Sequence, residues 1–258
     1  MRVQVIARTW FHGDAATAIT EGAWIPDIDG SEAANLAEFA GRACYQSWSR
    51  PNPATATNER YIEHIIDVKH NTLFEHGSVS FYIDDVSRSL THELIRHRHN
   101  SYSQLSQRFV IQGKPRANRD PFVTPPLFQG SEIAALMLQR AWEDAMNHYD
   151  ALMGLADTIL STVPIQDGGI TQRRKETREA ARCVLPNMTP TAIVVTGNHS
   201  AWRDFLEKRA TLQADSEIRE LAMEIYRELQ DIEPNLYQDF RVMHDDRKRE
   251  YLVRDAEN

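Results

Sequence analysis

Apolar and polar residues alternate in three short stretches of this chain and recur at helical spacing in most of the rest. Residues 2–8 alternate and carry Val3, Val5 and Ile6, which predicts an opening strand. Over 31–46, Leu36, Phe39, Ala40 and Ala43 fall on one helical face, with Ser31 placed to cap it. Residues 50–55, with Pro51 and Pro53, read as a loop, and a helix opens at Thr57 or Asn58 and runs through Ile62, Ile65 and Ile66. Residues 78–83 alternate again as a strand. From Ser87 the spacing of Leu90, Leu94 and Ile95 predicts a helix that continues into Arg96, His97 and Arg98.

Residues 113–126 hold four prolines and read as a loop. Helical pattern resumes over 131–160 (Ile133, Leu136, Met137, Ala141, Ala145, Tyr149, Leu152) and again from Thr171 to about Val184, stopping at Pro186. A strand is predicted over 191–197 and helices over 201–209 and 215–229, the last with a stripe of Ile218, Leu221, Ala222, Ile225 and Leu229. No repeat or linker interrupts this order, so one α+β domain over residues 1–258 is the simplest account.

Composition leaves that picture intact and narrows the setting. The chain has 258 residues, 41% hydrophobic and 26% charged, and no apolar run near the roughly 18 residues a membrane span needs. Residues 1–7 are too short and too polar for a signal peptide. Cys44 and Cys183 stand far apart with no CxxC partner, which suggests neither a disulfide framework nor a zinc ribbon; both read as packing residues. A reduced cytoplasmic protein with no membrane partner is expected. The net charge of −8 argues against a general nucleic-acid binder. Positive charge is nonetheless concentrated: Arg88, Arg96, Arg98, Arg108, Lys114, Arg116 and Arg119 surround a single acid, Glu93, and a second cluster comprises Arg173, Arg174, Lys175, Arg178 and Arg182. Such patches suit a small anionic ligand.

Residues 96–108 concentrate chemistry: three arginines, two histidines, three serines and two glutamines in thirteen positions. Guanidinium forks and hydroxyls suit phosphate and heterocycle edges. A solvated helix face would explain the charge, but such faces interleave Glu and Lys, and this segment has neither. Arg96-His97-Arg98, seven residues, then Ser106 resembles the motif of the flavin-dependent thymidylate synthases. The resemblance extends in order over residues 30–230. It takes in Gly41-Arg42-Ala43-Cys44-Tyr45, then His70 with Thr72, Glu75 and His76. Further along it takes in Ala181-Arg182 before Val184-Leu185-Pro186, then Gly197-Asn198 and Arg209-Ala210.

That resemblance implies a central, mainly antiparallel sheet packed by helices and a homotetramer with shared active sites. It implies reductive methylation of dUMP to dTMP, with FAD as cofactor and with NADPH and 5,10-methylenetetrahydrofolate as co-substrates. Carried across, it assigns FAD to Thr72, Arg96, His97, Arg98, Gln104, Asn198, His199, Ser200 and Asp204. It assigns dUMP to Glu93, Leu94, Ile95 and Arg96, to Gln104, Leu105, Ser106, Gln107 and Arg108, and to Arg182 and Arg209. Arg209 matches the catalytic arginine that polarises the uracil ring, and His70 a histidine near the flavin and folate. The chain departs from the family where Asp204 and Gln213 stand, positions often filled by Asn or His and by His, and where Gln104 replaces an acid. An anionic Asp204 beside flavin phosphates would be unfavourable.

The residues make this chemistry intelligible. Methylation at uracil C5 needs electron density pushed onto that carbon, which a fixed cation at the N3/O4 edge stabilises. No side chain carries hydride, so a cofactor must. Ser106 has no recognisable His–acid pair beside it and reads as a ligand donor. No metal is expected: His92 and His97 are five apart, which rotates the second ring by about 100° from the face that the i,i+4 zinc-helix spacing needs. A nucleotide- or RNA-binding module without catalysis is the competing class, disfavoured by the net acidity.

Overall fold

The computed structural model describes residues 1–50, 52–114, 119–163 and 169–255. Pro51 of the expected loop, residues 115–118 of the proline-rich loop and Arg116 of the basic cluster lie outside them. In chain order the elements are β1 (Arg2–Arg8), α1 (Gly13–Ile19), α2 (Glu32–Tyr45), α3 (Asn58–Asp67), β2 (Ser78–Ser87), α4 (Arg88–Leu94) and β3 (Ser101–Gln104). There follow α5 (Glu132–Ser161), α6 (Gly169–Ala181), β4 (Pro190–Asn198), α7 (His199–Arg209), α8 (Ser216–Ile232), β5 (Phe240–His244) and β6 (Glu250–Arg254). The fold is α+β, with an antiparallel sheet in the order β1-β2-β4-β3 and a separate β5-β6 hairpin.

Most boundaries follow from local chemistry. Thr57, Ser131, Asn198 and Asp215 each accept a backbone N–H from the first turn of the helix they precede. At α2 the expected Ser31 cap is replaced. The buried Glu233 carboxylate accepts from Ala33 N and Ala34 N, both at 3.2 Å, and from the Ser31 hydroxyl. The carboxyl group thus sits at the positive end of the helix, where these three hydrogen bonds oppose the rise that burial imposes on its pKa. In β4, Thr191, Ile193, Val195 and Gly197 turn inward as the alternation requires. In β2 the alternation slips at Ile83–Asp84, next to Asp85 with φ of 63°, which marks a local bulge before α4.

Contacts divide the described chain into two compact units. The first comprises residues 1–83, 93–102 and 194–255. Its core gathers Phe74, Phe81, Trp202, Phe205 and Leu206 with the predicted α8 stripe, all buried. Two buried ion networks stiffen it. Glu38, fully enclosed, accepts from Trp24 Nε1 (3.1 Å), Arg42 Nε (2.6 Å) and Asn58 Nδ2 (2.9 Å). Arg203 clasps Asp239 through Nη1 (2.8 Å) and Nη2 (2.6 Å), donates to Leu236 O and lies 4.8 Å from the Phe240 ring centre. A buried charge is tolerated only when so fully partnered. The β5-β6 hairpin escaped the sequence pattern because β5 has one buried residue followed by four exposed ones, leaving no alternation to read.

The second unit comprises the described residues of 84–92 and 103–193. Helices α5 and α6 pack together, and α5 buries Trp142 and Tyr149. Of its other apolar positions, Ile133, Leu136, Met137, Leu155 and Ile159 are exposed, while Ala145 and Leu152 are half-buried. The cysteines also differ from expectation. Cys44, in the last turn of α2, and Cys183, on the turn Arg182–Val184, are exposed rather than packed.

His199 is buried, and its Nδ1 lies 2.8 Å from the Tyr237 hydroxyl. Burial first, and the Arg203 charge second, push its imidazole down to about 3. An unfolded His titrates near 6.5, so between about 3 and 6.5 the unfolded chain holds the extra proton. This contribution is fully present above about 6.5 and is lost as pH falls through the window, at about 1.4 kcal/mol per pH unit. Urea unfolding at about pH 7 and about pH 5 should show that loss, and His199→Phe should flatten the slope by about that amount. An unchanged slope would show that His199 takes up its proton in the folded state.

Candidate active site

The motif is not helical throughout. Helix α4 ends at Leu94, and the chain continues in successive turns, with Arg96 N donating to Glu93 O, His97 N to Leu94 O and Asn100 N to His97 O. The Tyr102 hydroxyl sits 2.7 Å from Leu94 O and 2.8 Å from His97 O. A side chain therefore claims carbonyls that a continuing helix would offer to later amides, and Ile95, expected on the inner face, is exposed. Burial pushes the Tyr102 phenol up to about 12, against an opposing effect of the Asn100 amide, so the hydroxyl keeps its proton for this role. Residues 101–104, read only as polar donors, form the short β3.

These turns and α7 line a cavity of about 440 Å³ in the first unit. Arg96, His97, Arg98, His99 and Asn100 line it from the motif, and Ala201, Asp204, Lys208 and Arg209 from α7. Four permanent cations meet one carboxylate there. Arg96 and Arg98 are exposed and have no acid or carbonyl partner among the described residues. Arg209 is held from two sides: Nε donates to His97 Nε2 at 3.0 Å, and Nη1 to Glu93 Oε2 at 2.7 Å. Three of its five N–H groups remain for a ligand. His97 packs edge-on against Phe205, with ring centroids 5.0 Å apart. Burial, then the Arg209 charge, push its imidazole down to about 4, with Asp204 acting the other way. His97 is therefore neutral near pH 7. Asp204 Oδ2 lies 3.7 Å from His97 Nδ1, and its Oδ1 is paired with Lys208 Nζ at 2.6 Å.

Asn100 is buried against Gly197, where a Cβ would fall 2.2 Å from its Oδ1, and that oxygen has no hydrogen-bond partner among the described residues. Of the other expected flavin residues, Asn198 caps α7 through Ala201 N, and Ser200 opens that helix. His199 points inward to Tyr237 rather than into the cavity. Thr72 is exposed on the turn Asn71–Glu75, which His70 precedes, and neither lines the cavity. Gln213 is exposed in the turn between α7 and α8.

The second unit gathers the remaining expected residues. Gln104 Nε2 donates to Thr91 Oγ1 at 2.8 Å and approaches Thr191 Oγ1 at 3.5 Å, while Leu105 N pairs with Ala192 O. Ser106 Oγ accepts from Arg108 N, and Gln107 is buried. Arg108 pairs with Glu179 at 2.5 Å. Arg182, on the turn Arg182–Val184, lies near enough to Arg88 that burial and this like charge lower the Arg88 pKa. Sequence reasoning missed Arg88, Lys208 and Asn100 as site residues. Lys208 had a signal, four residues after Asp204 on a helix. Arg88 and Asn100 had none beyond charge and polarity.

Fold and cavity define an α+β protein whose cationic site holds one arginine pre-oriented by a neutral imidazole and a carboxylate. The chain belongs to the Thy1 family, thymidylate synthase complementing protein, whose model matches residues 28–235. It is similar to curated proteins named flavin-dependent thymidylate synthase. The one from Mycobacterium sp. (strain KMS) is 49% identical over 243 residues, covering 94% of this chain and 91% of the relative. Those of Mycobacterium avium (strain 104) and Mycobacterium bovis (strain BCG / Pasteur 1173P2) are each 49% identical over 242 residues, covering 94% of this chain and 90% of the relative.

Tyr102→Phe tests the turn that presents the motif. Losing one hydroxyl should cost about 1 kcal/mol and raise amide exchange at His97 and Asn100 about five-fold. Exchange confined to global unfolding would show that the turn holds without it.

Proposed function

We propose that this chain is a flavin-dependent thymidylate synthase, a single catalytic domain working in the cytoplasm. It converts dUMP to dTMP by reductive methylation, with 5,10-methylenetetrahydrofolate as carbon donor and NADPH as reductant. The observation that carries this reading is Arg209, fixed by His97 and Glu93 in a cationic cavity with three N–H groups to spare. Family membership and the named relatives support it.

The donor set fits FAD. Arg96 and Arg98 have no acid or carbonyl partner among the described residues and suit its phosphates, the Asn100 carboxamide offers a buried unpartnered oxygen, and Ser200 in the first turn of α7 adds a hydroxyl. Bound flavin supplies the hydride transfer that side chains cannot. His199 serves this site as a buried prop beneath α7 rather than through its ring.

On the nucleotide side, Arg209 binds the N3/O4 edge of uracil and stabilises the negative charge that builds there as C5 becomes nucleophilic. Neutral His97 contributes by accepting from Nε without adding a competing cation. Glu93 balances the guanidinium at the opposite side. Within the second unit, Ser106, Arg108, Arg182 and Arg88 are a donor set of their own that suits a nucleotide phosphate, and Gln104, with Nε2 engaged by Thr91, keeps its carbonyl for a ligand N–H. The exposed apolar face of α5 supports assembly as a homotetramer with shared sites, because such residues are normally covered. Thr72 and His70 are then candidates for the flavin and folate contacts completed by a neighbouring subunit.

Tritium release from C5-labelled dUMP, with flavin, NADPH and methylenetetrahydrofolate present, tests the activity; none at full flavin loading would refute it. Arg209→Ala should lower kcat by about 10² to 10³ while flavin absorbance is retained. Equal loss of flavin would place this arginine on the cofactor instead. Ser106→Ala should raise the KM for dUMP about ten-fold and leave turnover measurable. Abolished turnover with intact binding would make the hydroxyl a nucleophile.

A further inference from the structure

An arginine Nε can only donate, so the 3.0 Å contact from Arg209 makes His97 Nε2 an acceptor and places the imidazole proton on Nδ1. That N–H faces Asp204 Oδ2 at 3.7 Å, a charge–dipole contact longer than a direct hydrogen bond. The other carboxylate oxygen is held by Lys208 Nζ at 2.6 Å, one helical turn further along α7. Asp204 and Arg209 therefore reach the same ring from one helix, with Phe205 packed against it and Lys208 holding Asp204. Glu93 lies beyond Arg209, and Arg96 and Arg98 are the ring's charged neighbours along the chain.

We propose that the Asp204–Lys208 pair orients the His97 ring and, through it, the Arg209 guanidinium, making Asp204 a positioning residue rather than a flavin contact. The proposal rests on the role given to Arg209 above. It also accounts for an acid at a position where flavin phosphates would disfavour one. Lys208 neutralises Asp204 toward the cavity, while the carboxylate holds one tautomer of His97. Asp204 alone favours the imidazolium and its partner Lys208 opposes it, so the paired carboxylate stands near the ring while the ring stays neutral.

Nitrogen-15 NMR of the imidazoles in the purified enzyme, without nucleotide, reads the tautomer directly. Wild type should show His97 neutral with the proton on Nδ1 at about pH 7. Asp204→Ala should free the ring to turn away from Arg209 Nε and so mix the tautomers, and it should lower kcat for dUMP about ten-fold at unchanged flavin content; Asp204→Asn, which keeps an acceptor, should restore most of both. Lys208→Met should move the His97 titration midpoint upward. A wild-type proton on Nε2 would overturn the proposal. So would flavin loss in Asp204→Ala with the tautomer and the turnover per bound flavin unchanged. Absence of turnover in wild type would refute the synthase reading alone, because the tautomer and midpoint are measured without it.

Discussion

Helix α7 must satisfy two arginines that face different ways, and much of the first unit is arranged around that constraint. Arg203 and Arg209 are six residues apart, which sets their side chains about 120° apart around the helix. Arg203 points into the core and is clasped by Asp239 among aromatic rings, so the helix can neither rotate nor slide without exposing a buried charge. Arg209, on the same rigid rod, is thereby delivered to the cavity in one orientation. Anchoring and chemistry are separate tasks performed by the same residue type, and burial decides which is which.

The cavity then faces an electrostatic problem, since burial first, and the Arg209 and Lys208 charges after it, press the His97 imidazole to lose its proton. The protein uses that pressure. Held neutral, His97 becomes an acceptor able to orient a guanidinium, a task no imidazolium could perform. Asp204 is far enough away, at 3.7 Å, to direct the ring without restoring its charge. Geometry and charge thus agree on one state of the site near neutral pH.

Elements with strong periodicity were legible from the residues alone. The α8 stripe, the alternation of β4 and the long α5 follow from spacing, and Arg96, His97 and Arg98 stand out by composition, whereas Arg209 is marked only by the family resemblance. What could not be read was anything decided by distant partners. Glu233 capping α2 from two hundred residues away, Tyr102 ending the motif's helix, and the β5-β6 hairpin all depend on tertiary contacts that leave no local pattern. The exposed side of α5 carries the same apolar spacing as a core helix, because periodicity records which residues share a face and not what covers it.

Gly197 and Asn100 form one steric pair although 97 positions separate them in sequence. The carboxamide occupies the volume that any larger residue on β4 would need, so the two sites cannot drift independently. A lineage that enlarged position 197 would first have to shrink position 100, and the order of those changes would decide whether the intermediate folds. Substitutions at this pair, of which Asn100 lines the cavity, should therefore be found together, with the strand's smallest residue surviving as long as the amide against it does.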